Sequence, residues 1–204
     1  MISKYKSHPW HGIEIGDEAP VLINAFIEIL PSDTVKYEID KKSGFLKIDR
    51  PQKFSNVVPA MYGFIPQTYC DVEVARLSSN KKIIAGDKDP LDICVLSERE
   101  IYRSDILLKA IPIGGLRLVD KGEADDKIIA ILNGDDLYGA YTDISLLPEG
   151  ILNRLKHYFL TYKNLPGDTI QTCEIDQVYG REEAHHVIEA SRRDYKVFIE
   201  KNSD

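Results

Sequence analysis

The chain has 204 residues, and 43% of them are apolar, which is enough for one compact domain and too many for a disordered chain. The 33 acidic residues outnumber the 26 basic ones, and the net charge of -7 argues against nucleic acid as a partner. No apolar stretch is long enough for a signal peptide or a membrane span, and the three cysteines form no C-x-x-C pair. These features predict a cytoplasmic protein with reduced thiols and no membrane partner.

The first part of the chain is predicted to contain an irregular segment followed by strands. Residues 1–20 include two prolines and two glycines and are expected to have no regular structure. From Val21 to Leu30 the chain is mostly apolar, as in a largely buried strand. Residues 35–40 alternate between apolar and charged side chains, and the turn at 41–44 ends in a glycine before a strand that begins at Phe45. We therefore predict that the strands on either side of this turn form a hairpin.

Further strands, and then helices, are predicted along the rest of the chain. A polar loop with a short strand is expected within 76–86, and further strands are expected at 92–96, 107–113, 116–119 and 128–132. Apolar residues then recur at helical spacing, which predicts helices over 151–162 and 181–199. Strands followed by helices indicate the α+β class with a mostly antiparallel sheet or barrel. No repeat or linker divides the chain, so residues 1–204 are predicted to form a single domain.

The stretch Gly86-Asp87-Lys88-Asp89-Pro90-Leu91-Asp92 places three carboxylates within six residues, immediately before a predicted strand. Viewed alone, it is typical of a solvated turn rich in Asp, Pro and Gly. A turn stiffened by Pro90 would also present the oxygen ligands that a hard cation such as Mg²⁺ prefers. A calcium-binding EF-hand loop is excluded, because its sixth position requires glycine and Asp92 occupies it.

A second acidic run, at residues 120–126, lies between two predicted strands. Charge runs of this kind are usually exposed connections. Both acidic runs nevertheless lie at strand ends, where the loops of a barrel meet at one mouth. The lysines and the arginine near these runs are suited to bind phosphate oxygens, while aspartates are suited to bind metal ions.

In the order of its motifs the chain resembles the soluble family I inorganic pyrophosphatases, from about Phe26 to Lys163. The family signature D-x-D-P-x-D is present at residues 87–92. The matching segments before it are Phe26-Ile27-Glu28-Ile29, Lys36-Tyr37-Glu38-Ile39-Asp40, Asp49-Arg50 and Tyr62-Gly63-Phe64-Ile65-Pro66, and those after it are Asp120, Asp125, Lys127 and Tyr162-Lys163. The resemblance implies a five-stranded OB-like β-barrel with flanking C-terminal helices. It also implies Mg²⁺-dependent hydrolysis of pyrophosphate to two orthophosphates.

The resemblance further implies a role for each polar residue of the site. Metal ions would be bound by Asp87, Asp92, Asp120 and Asp125, with Glu28 acting on a further ion through water, and with Mn²⁺ or Zn²⁺ as substitutes for Mg²⁺. Asp89 would orient and deprotonate the attacking water held between the aspartate-bound ions. Substrate would be bound by Lys36, Arg50, Tyr62, Lys127, Tyr162 and Lys163, with Glu38 in the shell around Lys36 and the metals. A homo-oligomer with pyrophosphate as its small-molecule partner is also implied.

The sequence departs from the family pattern at three places. Val58 stands where many relatives have a tyrosine, and Lys121 stands where bacterial relatives often carry an acid. The segment between Tyr69 and Asp87 is longer than in short bacterial forms, which argues against the usual bacterial hexamer.

Two other functions are weighed against this interpretation, as is a degenerate relative with only a structural role, against which the many intact polar positions argue. One is an OB-like module that binds oligonucleotides, which would require a basic groove with aromatic side chains. The other is a metal-dependent phosphohydrolase that acts on nucleotides. The sequence contains no Walker A loop, no G-x-G-x-x-G motif and no G-x-S-x-G motif.

Overall fold

A mixed β-sheet and a separate hairpin provide most of the regular structure. The computed structural model describes residues 6–78, 83, 85–164, 167–168 and 173–202. The strands in chain order are β1 Ile23–Ile29, β2 Val35–Ile39, β3 Leu46–Pro51, β4 Met61–Phe64, β5 Asp92–Leu96, β6 Ile106–Asp120, β7 Glu123–Ala124, β8 Lys127–Leu132 and β9 Cys173–Gly180. The predicted hairpin is confirmed, because β2 and β3 pair antiparallel in a two-stranded sheet.

The other strands form one sheet, in which successive pairings lead back to the first strand. β1 pairs with β4, β4 with β5, β5 with β8, β8 with β6, and β6 with β1. The β5–β8 pair is parallel, and the other pairs of the sheet are antiparallel, as the sequence predicted for most of them. β7 and β9 also pair with β6, so in the described part of the chain the sheet has seven strands in all.

β6 is one long strand, although the sequence predicted two separate ones. Gly114 and Gly115 lie between the two predicted segments. A Cβ at Gly114 would lie 2.5 Å from the carbonyl oxygen of Tyr179, and a Cβ at Gly115 would lie 2.5 Å from its ring. The two glycines therefore allow β6 to continue close to β9. The first half of β6 pairs with β1 and the second half with β9.

The two longer helices lie where the apolar spacing predicted them, and a short helix before the signature was not predicted. The helices are α1 Val72–Ala75, α2 Glu149–Thr161 and α3 Arg181–Lys201, with 3-10 turns at Tyr138–Ala140 and Ile144–Leu146. The buried faces of α2 and α3 belong to two separate hydrophobic clusters, each shared with strands of the sheet. β9 lies between α2 and α3 in the sequence, so the expected order of strands first and helices last is wrong there. No helix in the described part of the chain is long and apolar enough to cross a membrane.

The N-terminal segment packs against α3 and leads into β1 without forming a helix or strand over residues 6–22, as predicted for the part up to residue 20. Trp10 is buried, and its indole N–H donates to the carbonyl oxygen of Thr68 at 2.8 Å. The ring of Trp10 stacks on that of Phe198, with the centroids 5.6 Å apart. The ring of His11 shares a hydrogen bond of 2.9 Å with the hydroxyl of Tyr195.

Two smaller predictions concern the cysteines and the segment before the signature. All three cysteines, Cys70, Cys94 and Cys173, are free and buried, in keeping with the prediction of packed thiols. The short strand predicted within 76–86 falls largely on residues outside the described ranges. Gly86, at its end, forms a single β-bridge with Ala124.

Candidate active site

Both acidic loops and the β2–β3 hairpin face one cavity of about 210 Å³. Its walls are formed by Ile29, Lys36, Arg50, Tyr62, Asp87, Asp89, Asp92, Asp120, Glu123, Asp125, Lys127, Tyr158, Phe159, Tyr162 and Lys163. Eleven of these residues were singled out in the sequence, and the fold brings them together from six strands, two loops and the end of α2. The expectation that the two acidic runs meet at one mouth is therefore confirmed.

The loop that carries Asp87 and Asp89 is shaped by the chain around Cys70. The amide of Asp89 donates to Oδ1 of Asp87 at 3.1 Å, a hydrogen bond typical of an Asx turn. The amide of Cys70 donates to the carbonyl oxygen of Asp89 at 2.8 Å, and the amide of Lys88 donates back to the Cys70 carbonyl at 3.1 Å. Gly86 is required here, because a Cβ would lie 2.4 Å from that same carbonyl oxygen.

The second acidic loop is a tight hairpin between β6 and β7. Lys121 and Gly122, at its tip, have φ values of +52° and +88°. The amide of Asp125 donates to the carbonyl oxygen of Leu118 at 2.9 Å, which fixes the chain as it leaves the loop. Asp120 at the start of the loop and Asp125 after it thus both reach the cavity.

Lys127 lies at the centre of the cavity wall and contacts two of the aspartates. Its side chain is 3% exposed, and its ammonium contacts Oδ2 of Asp92 and Oδ1 of Asp125. Burial alone would lower the pKa of Lys127, but the two carboxylates outweigh it and raise that pKa well above its usual value. The hydroxyl of Tyr62 donates to the same oxygen of Asp92 at 2.5 Å. Lys127 is therefore a fixed positive charge inside the protein.

The carboxylates exceed the positive charge that faces them. Burial, with the nearby Asp125 carboxylate, raises the pKa of Asp87 to about 9. Burial also raises the pKa of Asp92, whereas for Asp125 burial is outweighed by Lys127, which lowers that pKa. Ionised carboxylates so close together need a further cation, and their oxygens match the preference of a hard divalent ion. The donor set therefore fits Mg²⁺, although no three acidic, His or Cys side chains in the described ranges converge on one ready-made metal position.

Asp120 is held by two side chains. Its Oδ2 lies 2.6 Å from the ammonium of Lys163, and the thiol of Cys173 donates to its Oδ1 at 3.2 Å. The contact with Lys163 joins residues that the family resemblance placed in one site. Cys173 was missed, because a cysteine in a polar stretch gives no signal for a partner more than 50 residues away.

The β2–β3 hairpin contributes two basic side chains from directly opposed positions. Lys36 and Arg50 are cross-strand partners, and both line the cavity. The ammonium of Lys36 lies 2.9 Å from Asp49 and 3.2 Å from Glu38. Among the described residues, Nη1 of Arg50 is buried and has no hydrogen-bond partner. Because Arg50 lines the cavity, its guanidinium is suited to receive an anionic oxygen there.

The two predicted glutamates lie beside the cavity rather than in its wall. Oε1 of Glu28 accepts a hydrogen bond of 2.7 Å from the amide of Ile39, which ties β1 to the hairpin. Burial raises the pKa of Glu28 to about 8, against the lowering effect of that hydrogen bond. Glu38 lies 3.2 Å from Lys36 and 3.4 Å from Lys47. Their position outside the lining of the cavity is consistent with indirect roles.

Asp89 and Tyr162 complete the set of predicted residues in the wall. The carboxylate of Asp89 contacts the ammonium of Lys41, a residue that the sequence placed only in a turn. The ring of Tyr162 lies 5.0 Å from the ammonium of Lys163. Glu123 and Phe159 also line the cavity and were not predicted as site residues. Val58, noted in the sequence as a departure from the family pattern, is buried in the core.

Comparison with known proteins gives concordant matches over most of the chain. A family model described as inorganic pyrophosphatase matches residues 25–196. The chain is 51% identical over 195 residues to an inorganic pyrophosphatase of Chlamydia muridarum, covering 92% of this chain and 93% of that protein. The crystal structure of inorganic pyrophosphatase from Thermus thermophilus is 28% identical with a TM-score of 0.77, covering 94% of this chain and 99% of that one. A type I inorganic pyrophosphatase from P. falciparum is 27% identical with a TM-score of 0.81, covering 97% of this chain and 66% of that one.

Proposed function

The chain belongs to the inorganic pyrophosphatase family and is an inorganic diphosphatase, and from this premise we propose that it hydrolyses pyrophosphate in the cavity between its acidic loops, with Mg²⁺ as the metal. The observation that carries this proposal is the convergence of five aspartates with Arg50, Lys127 and Lys163 on one cavity of about 210 Å³. Pyrophosphate is a polyanion, and the net charge of the protein is -7, so binding requires a local reversal of charge. Basic side chains and metal-loaded carboxylates together provide it.

Four aspartates would hold the metal: Asp87, Asp92, Asp120 and Asp125. When bound, Mg²⁺ ions supply positive charge to phosphate oxygens and lower the pKa of a water molecule, and Mn²⁺ or Zn²⁺ are possible substitutes. Glu28 would act on a further ion through water. Its carboxylate already accepts a hydrogen bond from the amide of Ile39, which favours an indirect contact with the metal ion.

The basic and phenolic residues of the wall would bind the two phosphate groups. Arg50 lines the cavity, and its Nη1 has no hydrogen-bond partner among the described residues, which supports a contact between its guanidinium and a phosphate oxygen. Lys36, Lys127 and Lys163 each contact a carboxylate, so a phosphate group would share an ammonium that is already oriented. Tyr62 and Tyr162 would donate their hydroxyl groups, and Glu38 would orient Lys36.

Asp89 would accept the proton of the attacking water. Its side chain is 45% exposed, so it can meet solvent, whereas that of Asp92 is 20% exposed. A carboxylate that meets solvent can pass the proton on after each turnover.

We also propose the finer architecture and setting. The cyclic pairing of β1, β4, β5, β8 and β6 supports a five-stranded OB-like barrel within the sheet. The match over residues 25–196 supports a single domain over 1–204. Reduced, buried cysteines support a cytoplasmic location, and a homo-oligomer would appear in sedimentation equilibrium as a mass that is a multiple of 23.1 kDa.

The test is phosphate release from pyrophosphate by the purified protein, with Mg²⁺, with EDTA, and in the variant Asp92→Asn. We expect release that requires Mg²⁺ and falls by more than about 100-fold in the variant. Asp136→Asn is the matched control, because Asp136 is an exposed aspartate outside the cavity wall. ATP serves as the competing substrate, and its hydrolysis should be small.

Absence of release with Mg²⁺, Mn²⁺ and Zn²⁺ from protein that unfolds cooperatively would overturn the proposal. Preference for ATP over pyrophosphate would replace it with a nucleotide phosphohydrolase. A mobility shift of labelled single-stranded DNA, lost at high salt, would favour the oligonucleotide-binding module instead.

A further inference from the structure

Lys41, at the tip of the β2–β3 hairpin, contacts a residue of the cavity wall. It lies in the turn after β2, and its ammonium contacts Oδ1 of Asp89, 48 residues further along the chain. The side chains of Lys41 and Asp89 are 54% and 45% exposed. The contact therefore joins the hairpin tip to the residue proposed to accept the proton.

The turn that carries Lys41 is held on several sides. Oδ1 of Asp40 accepts hydrogen bonds from the amide and the hydroxyl of Ser43, at 2.8 and 2.7 Å. The carbonyl oxygen of Lys41 lies 3.2 Å from Nε2 of His8. Gly44, with φ of +73°, packs so closely that a Cβ would lie 2.8 Å from the side chain of Pro9. The backbone of Lys41 is thus fixed by its own turn and by the N-terminal segment.

The main chain of Asp89 is also fixed, but its carboxylate is oriented by Lys41. Its amide donates to Asp87, and its carbonyl oxygen accepts from Cys70. Within the described ranges, Lys41 is the one cation that pairs with its carboxylate. An exposed ion pair contributes little to stability, so removing Lys41 should leave the protein folded and should change mainly the orientation of this side chain.

We propose that Lys41 is a positioning residue, which holds the carboxylate of Asp89 in the orientation that accepts a proton from water. The inference rests on the proposed function, because it assumes that Asp89 is the proton acceptor. Lys41 differs in this respect from Lys36 and Arg50 on the same hairpin, which line the cavity itself.

The experiment measures kcat and KM for pyrophosphate at saturating Mg²⁺ in Lys41→Met, Lys41→Arg and Lys42→Met. We expect about tenfold lower kcat in Lys41→Met with KM nearly unchanged, and recovery of most of the loss in Lys41→Arg. Lys42→Met, a change at the exposed neighbouring lysine, should match the wild type. Calorimetric titration with Mg²⁺ should give the same affinity for all four proteins, which shows that the metal-binding carboxylates are undisturbed.

The same substitution is then made in the Asp89→Asn background. If Lys41 acts through Asp89, Lys41→Met should cause no further loss of kcat there. An equal loss in both backgrounds would overturn the inference, as would unchanged kcat in the single variant. A rise in KM at unchanged kcat would also overturn it, because Lys41 would then contact substrate rather than position Asp89. A wild-type protein that does not hydrolyse pyrophosphate would instead overturn the proposed function itself.

Discussion

Asp89 and Asp92 are three residues apart, and the fold gives them different surroundings. Asp92 begins β5 and contacts Lys127 and Tyr62 inside the cavity wall. Asp89 lies in the preceding loop, half exposed, with its carboxylate against Lys41. A less exposed, doubly held carboxylate suits ligation, whereas a more accessible one suits proton transfer.

The variant Asp89→Asn is therefore expected to separate turnover from metal binding. An amide keeps the shape of the side chain but does not accept the proton, so kcat should fall by about 100-fold or more. The Mg²⁺ affinity, measured by calorimetry, should stay close to that of the wild type. A variant as active as the wild type would remove Asp89 from its proposed role, and Asp92→Asn, which should lose both properties, provides the comparison.

The aspartates of the site were predictable from the sequence, but several of their partners were not. The spacing of Asp87, Asp89 and Asp92 on a stiff turn is a local property, visible without a fold. The contacts of Lys41 with Asp89 and of Cys173 with Asp120 depend on how distant segments pack. No local sequence pattern predicts such contacts, because lysines in turns and buried cysteines are common in proteins where they make no contact with a functional site.

At the scale of secondary-structure elements, α3 begins with a cap from a distant segment. Oδ2 of Asp143 accepts a hydrogen bond of 2.8 Å from the amide of Arg181, while its Oδ1 accepts from the amide of Ser145 at 2.9 Å. The helix itself offers only Gly180 at its N-cap. Asp143 thus ties the 3-10 turn at Ile144–Leu146 to the start of the last helix.

Asp143→Ala is expected to lower the free energy of unfolding by about 1 kcal/mol at neutral pH. The Arg181 hydrogen bond is the main cause that lowers the pKa of Asp143 below its ordinary value. A group whose pKa is lower in the folded state stabilises the fold above its unfolded pKa, near 3.9, and loses that effect as the pH falls through the folded pKa. Urea unfolding of both proteins should show a difference at pH 7 that shrinks as the pH falls below about 4, and a difference independent of pH would contradict the assignment.

Gly63 in β4 allows β1 and β4 to pair closely. A Cβ at this position would lie 1.9 Å from the carbonyl oxygen of Phe26, which is backbone and has little freedom to move. Gly63→Ala should destabilise the protein by about 1–3 kcal/mol and displace the neighbouring Tyr62. Gly150→Ala is the matched control, because a Cβ there would have nothing within 4 Å and alanine favours a helix, so that variant should be as stable as the wild type or more stable. Thermal unfolding of both variants makes the comparison.

The strands and helices with strong patterns were predicted, and those without them were missed. β5 matches its predicted bounds, and α2 and α3 begin and end within two residues of theirs. β4 was missed because four residues are too few to show alternation. β9 was missed because its exposed positions are polar. The strand is stabilised by its pairing with β6, which the sequence does not show. The prediction divided β6 at Gly114 and Gly115. These positions require glycine because Tyr179 lies close to them, which is a tertiary feature.

At the scale of the whole molecule, the N-terminal segment is joined to the last helix by stacked rings. His11 lies against Trp10, Tyr195 and Phe198, and its ring centroid is 4.8 Å from that of His8. Burial is the larger of two causes that lower the pKa of His11, and the charge of His8 is the smaller one. Protonation of His11 therefore opposes this packing.

The pH dependence of stability follows from that shift. Between the unfolded pKa of about 6.5 and the lower folded pKa, the unfolded state binds more protons, so stability falls as the pH falls through this range. His11→Phe should reduce the loss of unfolding free energy between pH 7.5 and about pH 5, measured by urea unfolding. His157→Phe, at an exposed histidine on α2, should keep the wild-type dependence. An unchanged slope in His11→Phe would show that other groups set it.

The pairing of β1 with β6 joins Ile23 to Ala110 and Ile27 to Ile106, so the last partner of β1 follows it by about 80 residues. Closing so long a loop costs chain entropy before any contact repays it, which predicts slow folding compared with helical domains of similar size. A chain emerging from the ribosome must also leave β1 without its β6 partner until both have been made. The proposed site contains residues from Lys36 to Lys163. It would therefore form in one late step of folding rather than in stages.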